Sequence, residues 1–550
     1  MSNIQENLKE LIKKALVSVY KNEDYSNDIM VEIPRDPTIA DYSTNIAMRL
    51  AKELKKNPAV IAEEIVKELK LICKDVETIE VARPGFINFK MKKTALANTI
   101  NTIIDAGDKF GHNNVGNGLH ILVEYVSANP TGDLHIGHAL AAAWGDSITR
   151  LLNVSGYNCL REFYINDAGH QIDMLGESLI ARYFEHFAKE YPLPEDGYHA
   201  QDIIDIAGEI AKEDGDKWLT ADPKERLTYF KDKGVDFELA KIERDLKMFR
   251  CEFDSWVHER FFYLNNDERI EKCLQKMESM NLTYWKDDAL WFKTTLYGDD
   301  KDRVLKKRDG SLTYMTPDIA NHVYKLERGY TKLVDLWGAD HHGYVARMCA
   351  SLEALGYPKG TLEVDLEQMV RLVENGKEVK MSKRTGNAVS LRELCEDIGI
   401  DAARYMLVSH EVGVHRDFDL NLARKKTSDN PVFYAQYAYA RMHSLLEATP
   451  KFVKAEKYDL LTDPKEVDLL KTLNEFPQVV GDAAKTRMPN KICNYIQELA
   501  GYFHSYYGSC KINDPSNVEL TNQRIGLVTA TSITLKNALN LVGVSAPDKM

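Results

Sequence analysis

What this chain lacks narrows its class before any motif is read. Eight cysteines, at 73, 159, 251, 273, 349, 395, 493 and 510, include no C-x-x-C pair, so neither a zinc-ligand set nor a disulfide framework is indicated. No apolar run approaches the roughly 20 residues of a membrane-spanning helix. The N-terminus, Met1-Ser-Asn-Ile-Gln-Glu-Asn-Leu8, carries acid and amide where a signal peptide would carry base and an apolar stretch. A soluble, cytoplasmic protein with reduced thiols is therefore expected. A basic excess is missing too: the formal net charge is -13, which argues against a generic nucleic-acid coat. Residues 421–550 nevertheless hold 16 Lys+Arg against 13 Asp+Glu, so an RNA partner would have to use local basic surface. The 44% apolar and 28% charged fractions are those of an ordinary globular protein, and 550 residues allow about three or four domains.

What is present is organised around Glu124-Tyr-Val-Ser-Ala-Asn-Pro-Thr-Gly-Asp-Leu-His-Ile-Gly-His138. Ile121-Leu-Val123 and Tyr125-Val126 read as a buried strand, and Asn129-Pro130-Thr131-Gly132 breaks it as a turn. Apolar residues return at helical spacing at Ile136, Ala139, Leu140, Ala143 and Ile148. At such a strand–turn–helix junction the first helical N–H groups are unpaired and the dipole end is positive, so a phosphate can sit there. His135 and His138, three apart, share one helical face, and Gly137 between them leaves room for a ligand to approach the backbone.

Around this centre, Ile4, Leu8, Leu11, Ile12, Ala15, Leu16 and Val19 share a helical face. A second helix follows Asp41-Tyr-Ser-Thr44, whose hydroxyls can cap it, and Asn57-Pro58 opens a third. Thr78-Ile-Glu-Val-Ala82 and Phe86-Ile-Asn-Phe89 are strand-like about a turn at Arg83-Pro84-Gly85, so residues 1–90 read as a small α+β domain. Within 91–425, a second strand is expected over 157–165, running into Tyr164-Ile-Asn-Asp-Ala-Gly169. Residues 170–310 are charged, helical in period and too long for one crossover, so they read as an insertion splitting a doubly wound α/β sheet. Residues 332–337 read as a strand of the second half, ending at Gly338-Ala-Asp340-His-His-Gly343 on the carboxyl edge where ligands bind. A metal there would need a second cluster at ligand spacing, and none accompanies it. Lys380-Met-Ser-Lys383-Arg384 forms a short basic loop between Gly376 and Gly386, able to close on phosphates. Asn430-Pro431 opens a helical segment over 432–446, and 426–550 read as an all-α bundle. Its tyrosines at 434, 437, 439, 502, 506 and 507 suit a helical core and also suit stacking on unpaired bases.

The segment ending His135-Ile-Gly-His138 resembles the HIGH motif of class I aminoacyl-tRNA synthetases, whose histidines stabilise the ATP phosphates as pyrophosphate leaves. Lys380-Met-Ser-Lys383 is similar to their second motif, usually KMSKS, with Arg384 in place of the last serine. The resemblance implies a Rossmann-like catalytic domain, with His135, His138 and Lys383 catalytic. It further implies an ATP site formed by Asn129, Pro130, Thr131, Gly132, Asp133, Leu134, His135, Ile136, Gly137 and His138, with Gly338, Asp340, Lys380, Met381, Ser382 and Lys383. Mg2+ would come with the nucleotide, and no protein-held metal is expected. A cysteinyl enzyme of this class would need zinc-ligand cysteines, and a small-molecule nucleotidyltransferase would leave both terminal domains unexplained.

Asp41-Tyr-Ser-Thr-Asn-Ile-Ala47, Pro84-Gly-Phe-Ile-Asn88 and the closing Val544-Ser-Ala-Pro-Asp-Lys-Met550 resemble the arginyl-tRNA synthetases, a likeness that covers nearly the whole chain. It implies ligation of L-arginine to its tRNA through an arginyl-adenylate, by a monomer. Residues 1–90 would grip the tRNA elbow at the D-loop, using Asn88, and 426–550 would bind the anticodon with Tyr434, Tyr437 and Met550. A guanidinium presents forked donors and needs carboxylates at fixed places. Glu124, Asn129, Tyr314 and Asp318 match the family's arginine pocket, with phenol and carboxylate expected together on one helical turn. One position departs: Val345 stands where some members carry a glutamine for the amino-acid backbone.

Overall fold

The structure, a computed structural model of the chain, describes all residues except 1–3, 23–28, 35, 37–38, 380–388 and 450, and at 265 and 266 the backbone alone. The Lys380-Met-Ser-Lys383 motif therefore lies outside the described residues.

The central apolar run forms the strand His120–Glu124. It stops there instead of continuing through Val126, because Val126 and Ser127 take left-handed φ of 70° and 38° and turn the chain out of the sheet. This strand is the middle one of five, in the order Leu362–Glu367, Lys332–Gly338, His120–Glu124, Asn158–Ile165, Ser255–His258, and every neighbouring pair is parallel. The chain winds outward from the centre on one side, then crosses to build the other, so the crevice at the carboxyl end of the central strand is the topological switch point.

The helix Ile136–Val154 leaves that crevice, with Ala139, Leu140, Ala142, Ala143, Ile148 and Leu151 buried. Its small residues let it lie close to the sheet and fix the height of its N-terminus.

The stretch 170–310 is not one body apart from the sheet. His170–His186, Gln201–Asp214 and Pro223–Met248 form a helical unit with its own core around Leu175, Leu179, Tyr183, Ile210 and Phe230. The chain then returns as the edge strand Ser255–His258 before leaving again for the helix Leu264–Ser279 and a three-stranded antiparallel sheet ending at Lys306. Four residues are too few to show a period against charged neighbours.

At the N-terminus, helices Ile4–Tyr20, Ile46–Leu54 and Pro58–Ile72 accompany an antiparallel sheet of Tyr42–Thr44, Val76–Ala82 and Phe86–Met91. Asn57 caps its helix, accepting from Ala59 N at 2.9 Å. At the C-terminus, Pro431–Ala448, Pro464–Thr486, Asn490–Ser509 and Val518–Leu541 pack as a bundle, the first capped by Asn430. The helices Lys93–Ala97 and Thr99–Ala106 join this bundle: Asn474 donates to Leu96 O, and Tyr458 to Asn101.

A buried Arg404 ties three parts together. Its guanidinium donates to Asp146 on the helix that begins at Ile136, to Phe249 O at 2.8 Å and to Val542 O at 3.1 Å. Gly543 passes so close, with φ of 68°, that a Cβ there would lie 2.2 Å from Arg404 Nε.

Candidate active site

The imidazole pair stands at the start of the helix, the rings stacked 3.8 Å apart. Gly137 N donates to His135 Nδ1 at 3.0 Å, and His135 N donates to His138 Nδ1 at 3.2 Å. Each Nδ1 is an acceptor, so in each neutral ring the proton sits on Nε2, leaving a donor for a phosphate oxygen. Burial lowers the pKa of His135, and burial with His135 as neighbour takes His138 down to about 3. Both rings are therefore neutral at physiological pH and act as hydrogen-bond donors. Gly137 is required by contact: a Cβ would meet His135 Cε1 at 2.9 Å.

The chain that follows residue 388 re-enters beside this pair. Leu391 N donates to Leu134 O at 2.6 Å, and Ser390 bridges His135 through the backbone. Residues 390 and 391 thus stand next to the first motif. On the other half of the sheet, Gly338 ends its strand and Asp340 and His341 stand exposed at the same edge.

Behind the imidazoles the polar groups form a connected set. Lys325, fully buried, donates to Glu124 Oε2 at 2.5 Å and Asp335 Oδ1 at 3.2 Å. His322 reaches Asp335 Oδ2 at 2.8 Å and the backbone oxygen of Asp318 at 2.7 Å. Burial opposes the charge on Lys325, but Asp335 and Glu124 overcome it and hold the ammonium above its ordinary range. Burial likewise works to raise Asp335, and Lys325 and His322 draw it down to about 2. Glu124 is fastened on its other oxygen by Ser127 Oγ at 3.0 Å. Lysine and aspartate so buried serve to aim Glu124 and the helix Met315–Glu327 at the cleft.

The expected pairing of Tyr314 with Asp318 is not what forms. Tyr314, 86% exposed, is the N-cap residue, and helical side chains lean toward the N-terminus, so its ring projects off the helix end. The phenol on Asp318 is Tyr344, from the neighbouring helix His342–Ala354, donating to Oδ2 at 2.6 Å. Val345 follows it, half-buried. Burial raises Asp318, and the Tyr344 hydroxyl opposes that rise.

Three further groups belong to the same electrostatic cluster. Burial, then Asp318, pushes Glu259 up to about 7, and Tyr263 donates to Glu259 at 3.3 Å. The Tyr164 hydroxyl is buried with no hydrogen-bond partner among the described residues. Burial and then the charges of Glu259, Asp318 and Glu124 raise its pKa. A cluster with more negative groups than cations, and with an unsatisfied hydroxyl, suits a cationic ligand with several donors.

Asn129 is exposed in the turn between the central strand and the imidazole helix, donating to Gln171 and accepting from Asn166. Buried Asp167 locks that neighbouring turn, holding His258 Nδ1 at 2.6 Å and Arg260 N at 3.0 Å. Of the residues expected to bind tRNA, Asn88 is half-buried and accepts from Ser43 Oγ at 2.7 Å. Tyr434 and Tyr437 lie 4.7 and 6.0 Å from the His504 ring, and Arg441 stacks between Tyr437 and Tyr507. Met550 is exposed at the chain end. Sequence reasoning missed Tyr164, Glu259, Tyr344, Lys325 and Gln171. Asp318, His322 and Lys325, at spacings of four and three, do share a helical face, which was the available signal.

This parallel sheet, split at its central strand and carrying paired imidazoles at the switch point, is the catalytic unit of a class I aminoacyl-tRNA synthetase. Residues 99–442 match the family described as tRNA synthetases class I (R), catalytic domain. Residues 6–91 match the arginyl tRNA synthetase N terminal domain, and 435–550 the DALR anticodon binding domain. The arginine–tRNA ligase of Bacillus subtilis is 47% identical over 557 aligned positions, covering all of both chains. That of Oceanobacillus iheyensis is 48% identical, again with full coverage of both. The solved arginyl-tRNA synthetase of Thermus thermophilus superposes with a TM-score of 0.77 over all of both chains at 22% identity, a likeness of fold. The chain belongs to the arginyl-tRNA synthetase family.

Proposed function

We propose that the crevice at the carboxyl edge of the sheet joins L-arginine to its tRNA in two steps, with these side chains in the following roles. The observation that carries the reading is the imidazole pair at the start of the helix Ile136–Val154, each Nδ1 engaged and each Nε2–H left as a donor, following a central strand that ends in the buried carboxylate of Glu124. The guanidinium meets the acidic cluster, and Asn129 holds the substrate's α-end. The arginine carboxylate then attacks the α-phosphorus of ATP, the bond to the bridging oxygen breaks, and pyrophosphate leaves. The Nε2–H groups of His135 and His138 donate to phosphate oxygens, and Lys383 supplies the positive charge that the leaving pyrophosphate needs. Positioning does the remainder, since no enzyme nucleophile is required. The arginyl group finally passes to the terminal ribose of tRNA, releasing AMP.

Glycines and backbone at 129–138, with Gly338 and Asp340 across the sheet, frame the nucleotide, and Mg2+ arrives on its phosphates. Residues 1–90 engage the tRNA elbow, and the Tyr434, Tyr437, His504 and Tyr507 rings with Arg441 stack on anticodon-loop bases. The enzyme works as a cytoplasmic monomer. Aminoacylation of total tRNA with each of the twenty amino acids tests the reading: charging by arginine alone is expected, and charging by another amino acid or by none overturns it. Lys383→Ala is expected to slow adenylate formation far more than it weakens arginine binding, and equal effects would remove its assigned role.

A further inference from the structure

Three amides, Asn129 before the helix Ile136–Val154, Asn166 after the strand Asn158–Ile165 and Gln171 in the first turn of the helix His170–His186, have their orientations fixed in sequence by one backbone carbonyl. Asn166 Nδ2 lies 3.4 Å from Ser127 O, and a backbone carbonyl only accepts, so that atom of Asn166 is the nitrogen. The same nitrogen lies 2.9 Å from Asn129, which must present Oδ1 to it. Asn129 therefore turns Nδ2 the other way, where it donates to Gln171 at 2.7 Å, and Gln171 must accept with Oε1. What is left at the end of the relay is Gln171 Nε2, exposed and with both hydrogens uncommitted among the described residues. Reversing any one amide would set oxygen against oxygen or nitrogen against nitrogen, so the polarity is held along the whole set.

Asn129 itself has little left to offer: one N–H and one lone pair on Oδ1. A substrate α-carboxylate needs donors, and of the three amides only Gln171 offers two on one nitrogen. We infer that Gln171 binds the α-carboxylate of the amino-acid substrate through Nε2, while Asn129 Oδ1 accepts from its α-ammonium, so that the Ser127–Asn166–Asn129–Gln171 relay orients the zwitterionic end. This rests on the arginine pocket proposed above and assigns a group to the end opposite the guanidinium. It also supplies the backbone-holding amide that position 345 does not.

The ordering depends on the left-handed turn at Val126 and Ser127, which aims Ser127 O at Asn166 while Ser127 Oγ donates to Glu124 and accepts from Tyr164 N at 3.1 Å. One turn thus sets both ends of the substrate: the carboxylate of Glu124 for the cation, and the amide donors for the α-carboxylate.

The test is calorimetric binding of L-arginine and of agmatine, which keeps the guanidinium and an ammonium but has no carboxylate, to the full chain. Gln171→Glu keeps an acceptor toward Asn129 Nδ2 and replaces the donors by negative charge. It is expected to weaken L-arginine at least tenfold and to leave agmatine unchanged or tighter. Gln171→Ala, which removes the donors without adding charge, is expected to weaken L-arginine severalfold and again to spare agmatine. Unchanged L-arginine affinity in both variants, or equal losses for the two ligands, overturns the role of Gln171. Tighter binding of both ligands to Gln171→Glu would put the ammonium there and also overturns it. If the unaltered protein binds neither ligand, the arginine pocket itself is what fails.

Discussion

Tyr344→Phe isolates one interaction within the acidic cluster. The change removes a single hydroxyl, which donates to Asp318 Oδ2 at 2.6 Å, and keeps the ring that packs 5.8 Å from Trp337. Burial holds Asp318 above the ordinary carboxylate range, and this hydroxyl is the largest influence opposing it. Without it the charged form loses a hydrogen bond to an ionised group, worth about 1.5–3 kcal/mol. A water reaching the vacated position offsets part of that loss, so the low end is expected, roughly tenfold in kcat/KM for arginine at 1.36 kcal/mol per tenfold. The direction with pH follows from the sign. Asp318 must be ionised to meet a guanidinium, its pKa rises further in the variant, and the acid limb of kcat/KM, which reports the free enzyme, therefore moves to higher pH. Aminoacylation kinetics across pH 5 to 8 read both effects. An acid limb that stays in place together with an unchanged KM for arginine would refute the assignment of Asp318 to the cation; the melting midpoint should shift little in either case.

Lys325→Met leaves Glu124 and Asp335 buried without their shared cation, and loss of one partner from a buried pair costs about 3–5 kcal/mol. Denaturant unfolding measures it, and the deficit should shrink on acidification below pH 7, because protonation neutralises the abandoned carboxylates. Arg404→Met strands Asp146 in the same manner and frees Val542 O and Phe249 O, so a comparable loss is expected together with earlier proteolysis of the C-terminal helix Val518–Leu541.

The parts of the fold legible in the sequence were those where a long period or a cap coincides with the element. The strand at 121–124, the helix after Ile136, the Asn57 and Asn430 caps and the helical C-terminus all follow from local pattern. The edge strand Ser255–His258 did not, because its membership in the sheet is decided by Glu162 to Ile165 pairing across it, a contact with no local signature. The attachment of residues 93–106 to the C-terminal bundle was hidden for the same reason: Asn101 and Leu96 are held by residues more than 300 positions away.

The site divides along the same line. The motif residues proposed for phosphate chemistry were legible because His135, Gly137 and His138 are neighbours in the chain and their mutual hydrogen bonds are local. The charge state of that chemistry is not local. The sequence leaves the charge of His135 and His138 open; burial lowers both pKa values, His138 also through its neighbour His135, and holds both rings neutral with Nε2–H as a donor. A neutral donor pair gives up less when pyrophosphate departs than two bound cations would, so in the reaction proposed above the positive charge falls to Lys383. The specificity end is governed by the same principle in reverse. Its carboxylates come from three separate stretches of chain, at 124, 259 and 318, so the arginine site proposed for them has no contiguous signature in the sequence.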